Sequence, residues 1–243
     1  MKTGLSPIKL ACLACVGLVC ASAQATTINW GTFISPTSYL FDSAGANLDD
    51  SYAFELGSFG SFVPTAANQS SWLANWKAFD RATAPSTSGW NSSIGTVAHS
   101  ATLETDFTTD NTSLSQLNTF ATGEQAYIWV YKDINGNFSP TPGVGMQWAL
   151  VTNDSTDGIV ADDWTFPVPS GHVVSSLDWR IEDATASPFG GLNDSQGPGG
   201  FSNTPTNFIL QTHTIAAVPE PGSAILLGVG LMIRTIRTRR RRC

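Results

Sequence analysis

The chain has 243 residues, of which only 13% are charged, and a formal net charge of −7. The segment 26–215 keeps four of the 12 basic residues and 18 of the 19 acidic ones, so its net charge is about −14. A domain this acidic repels polyanions, which excludes nucleic acid as a partner. All four cysteines lie outside this segment, which excludes disulfides and thiol chemistry from it.

The first 25 residues have the pattern of a secretory signal peptide. Lys2 and Lys9 precede an apolar stretch at 10–19, and small residues follow at 21–25. We therefore expect residues 1–25 to form a signal helix that is recognised by the secretion translocon. The rest of the chain is then exported.

Alternation of apolar and polar residues dominates the segment 26–215. About 190 residues are enough for one domain with a substantial core. Within 173–182, Leu177, Trp179 and Ile181 share one face and charged residues share the other. The same pattern predicts further strands at 52–59, 102–107, 126–134, 147–152 and 207–215. Turn-forming residues separate these strands, so we expect an all-β fold, an antiparallel β-sandwich or jelly roll.

Three segments depart from the strand pattern. Trp72, Trp76 and Phe79 have helical spacing behind serines that can cap a helix, which predicts a short helix over 71–80 packed on a sheet. A weaker pattern at 114–120 predicts a second short helix. Residues 184–206 are rich in Gly, Pro, Ser and Asn, and we interpret them as a flexible excursion rather than a binding loop.

Three aromatic residues, Tyr127, Trp129 and Tyr131, follow a period of two in one predicted strand. If they are exposed, they form a platform for sugar rings, with an extracellular polysaccharide as the partner. The same spacing also fills the core of a sandwich, with Ile128 and Val130 covered by the predicted helix on the other side. The core interpretation is favoured.

Oxygen-bearing side chains alternate at Asp133, Asn135 and Asn137, as at the start of a calcium loop. They are the candidate metal ligands, and calcium is the one cofactor that the sequence suggests. Val144 stands where the closing Glu is required, which excludes an EF-hand. Because Asn135 and Gly136 are also a strong hairpin signal, a turn is favoured over a metal site.

Motifs of catalysis give little support for an enzyme. The three histidines are isolated, and zinc-protease, nucleophile-elbow and phosphate-loop motifs do not occur. Glu55, Glu104 and Glu182 can in principle supply a carboxylate pair for glycoside cleavage, but their spacing selects no pair. We therefore predict a non-catalytic protein, with a glycan-active enzyme as an alternative.

The segment 216–243 carries an ordered set of signals. Pro219, Glu220 and Pro221 come first, then small residues, then an apolar run at 224–233. The cationic end consists of Arg234, Arg237, Arg239, Arg240, Arg241 and Arg242. Such a helix is held at a membrane with its cationic end on the cytoplasmic side. Ten helical residues rise only about 15 Å against a hydrocarbon core of about 30 Å, so we expect a transient membrane helix.

This order of motif, apolar helix and arginine cluster resembles the PEP-CTERM sorting segment. The resemblance implies that Pro219, Glu220 and Pro221 are the recognised motif and that an exosortase-like membrane enzyme cleaves near them. It also implies that the arginines fix the orientation of the helix. After transient anchoring at the inner membrane, the protein is then delivered to the cell surface or extracellular matrix. The pattern at 52–59 similarly resembles the bodies of uncharacterised PEP-CTERM proteins.

The sequence therefore predicts three parts: a signal peptide at 1–25, a secreted β-sandwich domain at 26–215 and a sorting segment at 216–243. The expected function is a non-catalytic structural or adhesive role at the cell surface or in the matrix. The alternative is a carbohydrate-binding module or a glycan-active enzyme.

Overall fold

The structure is a computed structural model that describes residues 25–32, 39–111, 114, 118–133, 136–141, 145–154, 163–168 and 176–215. The sorting segment and all but the last residue of the signal segment lie outside these ranges. Within them, no helix is long and apolar enough to cross a membrane.

Short strands make up most of the regular structure in the described part of the chain. The strands are β1 (Thr26–Gly31), β2 (Leu40–Phe41), β3 (Tyr52–Ser58), β4 (Lys77–Ala82), β5 (Trp90–Asn91), β6 (Thr96–Leu103), β7 (Ala126–Lys132), β8 (Gln147–Thr152), β9 (Ser176–Arg180), β10 (Ala186–Phe189), β11 (Gly191–Leu192), β12 (Leu210–Gln211) and β13 (His213–Thr214). The helical elements are α1 (Trp72–Asn75) and 3-10 turns at Gln69–Ser71, Ser86–Ser88 and Ile181–Asp183. The predicted all-β class is therefore confirmed.

Two main sheets are formed. The larger sheet has the order β10-β8-β7-β3-β4, with β13 also paired to β8, and its pairs are antiparallel. The smaller sheet has the order β5-β6-β1-β9, in which β1 and β9 are parallel. A third sheet, β11-β12-β2, also contains a parallel pair. The prediction of purely antiparallel pairing is wrong for these two pairs, because their strands are far apart in the chain and no hairpin fixes their direction.

Strong alternation located the strands of the larger sheet well. The predictions at 52–59, 126–134 and 147–152 correspond to β3, β7 and β8. The prediction at 102–107 overlaps only the end of β6, and the one at 207–215 is divided between β12 and β13. Residues 184–206 contain β10 and β11, so the interpretation as an excursion without structure is wrong there. These two strands are held by pairing with β8 and β12, which local composition does not reveal.

The facing sides of the two main sheets share an inner core. From the larger sheet it contains Phe54, Leu56, Phe79, Ile128, Val130, Ala149 and Val151, and from the smaller sheet Ile28, Trp30, Trp90, Val97, Leu103 and Trp179. These side chains follow the period of two that the pleat imposes on a strand. The inner core therefore joins the two sheets into one hydrophobic unit.

The opposite side of the larger sheet carries an outer aromatic cluster. Its buried aromatic members are Phe59, Trp72, Trp129, Tyr131, Trp148 and Phe189. Trp72 of α1 stacks on Trp148 with ring centres 5.6 Å apart. α1 covers this outer side of the sheet, whereas Ile128 and Val130 lie in the inner core. The prediction that the helix covers Ile128 and Val130 is therefore wrong. All seven residues of β3 are buried as a result.

The predicted helix at 71–80 is shorter than its spacing indicates. α1 ends at Asn75, since Trp76 is already extended with ψ at 131°, and Phe79 lies in β4. Pairing of β4 with β3 competes with helix formation here, and in the paired strand Phe79 and Asp80 are fully buried. The expected cap is also absent, because the Ser71 side chain makes no capping hydrogen bond. Asn68 instead accepts a hydrogen bond from Trp72 Nε1 at 2.8 Å.

The second predicted helix falls largely outside the described residues. Of 114–120, the structure describes Leu114 and residues 118–120, and none of these is helical. Phe120 is buried in the inner core and contacts Phe79 and Phe166, with ring centres 5.2 and 4.5 Å away.

Replacement of Trp72 tests the role of α1. We expect Trp72→Ala to reduce the free energy of unfolding by about 3–5 kcal/mol, because a fully buried indole is removed from the outer aromatic cluster. Its neighbour Leu73 is 41% exposed, so Leu73→Ala is a control on the same helix with little effect. Urea unfolding followed by circular dichroism measures both. Equal effects of the two substitutions would contradict the covering role of α1.

Candidate functional site

A buried ion pair lies on the outer side of the larger sheet. Glu55 of β3 is 1% exposed and stands opposite Arg81 of β4. Its carboxylate accepts hydrogen bonds from Arg81 Nε at 2.7 Å, Tyr131 Oη at 2.9 Å and Trp76 Nε1 at 2.6 Å. Burial alone lowers the pKa of Arg81, but the charge of Glu55 and its hydrogen bond raise that pKa above the ordinary value. Arg81 is therefore held in its charged form beside the Glu55 carboxylate.

Asp80, the residue before Arg81 in β4, is a second buried carboxylate, and it lies on the inner side of the larger sheet. Asp80 is fully buried and accepts hydrogen bonds from Trp30 Nε1 and His99 Nδ1, both at 2.7 Å. The Asn111 side-chain amide and the backbone N–H of Arg81 donate to its other oxygen. The hydrogen bond to Asp80 raises the pKa of His99, against the opposing effect of burial. His99 therefore keeps its proton to a higher pH than an ordinary histidine does.

A bulge in β4 explains how these charges reach opposite sides. The register with β3 shifts between Leu56, which faces Asp80, and Gly57, which faces Ala78, so Phe79 is the extra residue. Such a bulge bends a strand and re-aims its side chains, and here Phe79 and Asp80 both reach the inner side. Arg81 then reaches the outer side.

Two adjacent cavities, which we call the β4 groove, open beside these pairs. Arg81 and Phe138 line both, with the guanidinium carbon 5.4 Å from the centre of the phenyl ring. The first cavity is about 570 Å³, and its other lining residues include Thr83, Ser88, His99, Ser100, Asp110 and Asn111. The second is about 350 Å³ and is also lined by Leu73, Trp76, Asn118, Asn137, Ser139 and Pro140. Hydroxyl and amide side chains are therefore frequent in the first cavity, whereas the second also has apolar lining from Leu73, Ala78, Leu114 and Pro140 and is bordered by Glu55.

The predicted aromatic platform is not at the surface. Trp129 and Tyr131 are fully buried, and Tyr127 is partly buried against Phe59 with ring centres 5.4 Å apart. Burial raises the pKa of Tyr127 to about 12. The platform interpretation is wrong, because α1 and the residues around it cover this side of β7. The alternative, that these rings fill a core, is the one observed.

The predicted calcium segment forms a turn in its described part. The Asp133 carboxylate accepts the backbone N–H groups of Asn137 at 3.2 Å and Phe138 at 3.1 Å. Gly136 has the positive φ of +66° that such a turn favours, while Asn135 lies outside the described residues. β8 begins only at Gln147, so no tight hairpin follows. Among the described residues, no group of three or more His, Cys, Asp and Glu side chains is placed to hold a metal ion.

The three candidate carboxylates for glycoside cleavage lie apart. Glu104 follows the end of β6 that pairs with Thr26, whereas Glu182 follows the end of β9 that pairs with Gly31. Five residues of strand separate these ends by about 17 Å, more than the roughly 5–9.5 Å between glycosidase carboxylates. Glu55 is in the other main sheet. The predicted sorting motif, Pro219, Glu220 and Pro221, and the terminal arginines lie outside the described residues.

Most of the residues that form the groove were not found from the sequence. His99 was considered isolated, Asp80 ended the predicted helix at 71–80, and Arg81 came directly after it. Glu55 and Asn137 were named, but as a candidate carboxylate for glycoside cleavage and a candidate calcium ligand. One signal was available, because Glu55 is a lone charge among the apolar residues of a strand that is predicted to be buried. A charged residue in such a place requires a partner, but the sequence does not say which strand supplies it.

Comparisons with protein-family models, with curated proteins and with solved structures found no significant match. Two of the charged side chains in the groove, Arg81 and His99, already face buried carboxylates of the protein itself. The remaining lining combines hydroxyl and amide side chains with apolar and aromatic ones, which suits a ligand that has both hydroxyl groups and apolar faces.

Removal of Arg81 tests the buried ion pair. We expect Arg81→Met to lower the free energy of unfolding by about 3–5 kcal/mol, because the charge of Glu55 is left buried without a partner. The double variant with Glu55→Gln should recover more than half of this loss. Lys132→Met is the control, since this lysine of β7 lies over the Tyr52 ring at 5.6 Å and neutralises no buried carboxylate. A loss for Arg81→Met no larger than for Lys132→Met would contradict the analysis.

The Asp80–His99 pair predicts a pH dependence. Because the folded pKa of His99 is raised above the ordinary value of about 6.5, its contribution to stability is complete below that pH and is lost as pH rises through the raised pKa. We expect the stability advantage of the native protein over His99→Gln to decrease as pH rises above about 6.5. Urea unfolding at successive pH values measures this advantage. A difference that does not change with pH would contradict the pairing.

His213 provides an internal reference, because its pKa is shifted in the direction opposite to that of His99. Its Nδ1–H donates to the Pro198 carbonyl at 2.6 Å, and burial lowers its pKa to about 4. Its stabilising contribution is therefore present above about pH 6.5 and is lost as pH falls toward 4. Both the native protein and His99→Gln should show this loss.

Proposed function

We propose that this chain encodes an exported, non-catalytic β-sandwich protein with a structural or adhesive role at the cell surface or in the extracellular matrix. The observation that carries the proposal is the combination of the two terminal segments. Residues 1–25 have the order of a signal peptide, and residues 216–243 have the order of a sorting segment.

The terminal segments suggest a sequence of events. The translocon exports the chain, and the apolar run at 224–233 holds it briefly at the inner membrane. The arginine cluster keeps the end of the chain on the cytoplasmic side. An exosortase-like enzyme then cleaves near Pro219, Glu220 and Pro221, and the domain is released outward. The short apolar run favours a transient rather than a permanent anchor.

The charge distribution of the domain supports an extracellular role. Lys77 pairs with Glu124, Arg81 with Glu55, and Arg180 lies 3.5 Å from Asp178. The fourth basic residue, Lys132, lies over an aromatic ring. Since all four basic residues are engaged, the excess acidic groups dominate the outer field of the domain. Such a surface favours solubility and disfavours binding to nucleic acid or anionic lipid.

The buried carboxylates support a structural rather than a catalytic role. Glu55 and Asp80 are each satisfied by several donors, and they point to opposite sides of the larger sheet. They do not face each other across the groove as a catalytic pair does. A carbohydrate-binding module is the second candidate function, and the polar β4 groove favours it over a glycan-active enzyme.

Mass spectrometry of the protein from its producing cells tests the sorting proposal. The surface-extracted form should begin near residue 25 and end near Glu220, because both terminal segments are removed. Glu220→Ala should leave an unprocessed form in the inner membrane. Ser223→Ala, three residues further on, is the control and should be processed normally. A surface-extracted form that still ends at Cys243 would contradict the proposal.

A further inference from the structure

The lining of the β4 groove complements the hydroxyl groups of a sugar. The hydroxyls of Thr83, Ser88 and Ser100 line the first cavity, and within the described ranges no side-chain hydrogen bond occupies them. Asn137 and Ser139 add an amide and a further hydroxyl in the second cavity. Each of these groups can both donate and accept, as each sugar hydroxyl does. The groove therefore offers many hydrogen bonds from uncharged side chains.

An aromatic ring lies between the two cavities. Phe138 is 39% exposed, and the Arg81 guanidinium lies over its ring. The electron-rich face of an aromatic ring attracts the weakly positive C–H groups on one side of a pyranose ring. Since Arg81 is itself tied to Glu55 by two close contacts, the ring is supported from a rigid strand. Phe138 is thus placed to take the stacking role that was predicted for Tyr127, Trp129 and Tyr131.

The charges at the groove favour a neutral ligand. Arg81 is neutralised by Glu55, and His99 faces Asp80, so neither presents an unbalanced positive charge. Asp110 adds a negative charge to the lining, and the segment 26–215 has a net charge of about −14. An acidic polysaccharide is therefore repelled at long range and finds no free cation in the described lining.

The groove is also organised before a ligand arrives. Buried Asp80 holds the side chains of His99 and Asn111, and buried Glu55 holds those of Arg81 and Trp76. Four lining side chains are therefore fixed by two carboxylates that are themselves almost completely buried, of which Glu55 borders the second cavity. Fixing the lining in advance reduces the entropy lost on binding. The buried carboxylates therefore order the lining of the groove as well as stabilise the fold.

We propose that the β4 groove binds a neutral oligosaccharide chain, with one sugar ring stacked on Phe138 and neighbouring rings in the two cavities. The two cavities, of about 570 and 350 Å³, meet at Arg81 and Phe138, which suits a chain of several sugars better than a single ring. This inference rests on the proposed surface role and names the ligand class for it.

Calorimetry on the purified full-length protein tests the inference. The probes are cellotetraose, maltotetraose and mannotetraose, their disaccharides, and tetragalacturonate as the acidic comparison. We expect at least one neutral tetrasaccharide to bind, more tightly than its disaccharide and more tightly than tetragalacturonate. Phe138→Ala should weaken this binding roughly tenfold or more, because the central aromatic contact is lost. Ser100→Ala should weaken it severalfold.

Phe107→Ala is a closely matched control. Phe107 is 37% exposed and, like Phe138, has a positive φ, but it does not line the groove. Its replacement should leave the affinity unchanged. Absence of binding to all three neutral tetrasaccharides, tighter binding of tetragalacturonate, or equal losses for the two phenylalanine variants would overturn the inference.

The binding result and the sorting result can be separated. A protein that is trimmed near Glu220 but binds no neutral tetrasaccharide overturns the groove assignment and leaves the sorting proposal in place. A protein that binds through Phe138 but reaches the surface untrimmed supports the groove assignment and overturns the sorting proposal.

Discussion

The pairing of β4 with β3 is the constraint on which the rest of the structure depends. Its bulge is possible because residue 57 is glycine: a Cβ there would lie 2.3 Å from the Lys77 carbonyl oxygen and 2.7 Å from the Trp76 ring. With the strand in this register, Asp80 reaches the inner side and Arg81 the outer side. Two consecutive charged residues thus lie on opposite sides of one sheet, Asp80 fully buried and Arg81 partly buried, and each requires partners from elements distant in the chain.

Those partners connect the parts of the domain. Asp80 ties β4 to Trp30 of β1 and His99 of β6, across the space between the two main sheets. Glu55 ties β3 to β4 and β7 through Arg81 and Tyr131. Buried charges are stabilising only when all their hydrogen-bonding positions are filled, because desolvation otherwise exceeds the gain from pairing. The same hydrogen bonds order the lining of the groove, so the stability of the fold and the shape of the proposed site depend on one set of contacts.

Exposure decides whether an aromatic residue of this protein belongs to the core or can contact a ligand. Both sides of the larger sheet are covered, the inner side by the smaller sheet and the outer side by α1 and its neighbours. Trp129 and Tyr131 are therefore core residues, although their spacing equally fits a sugar platform. Phe138 belongs to the connection that follows β7, beyond the edge of this cover, and its ring stays accessible. The proposed carbohydrate contact thus lies on a loop at the edge of a sheet, as binding residues commonly do.

The sequence by itself determined the β-rich class, the positions of β3, β7 and β8, and the acidic character of the domain, because alternation and composition are local properties. It also supplied the signal and sorting patterns on which the proposed function depends. Tertiary structure decided that Phe79 belongs to a strand rather than a helix, since the spacing of Trp72, Trp76 and Phe79 fits both. It also decided the parallel pairing of β1 with β9 and the partners of Asp80 and Glu55. These features arise from contacts between residues far apart in the chain, and no local pattern encodes which distant strand lies alongside.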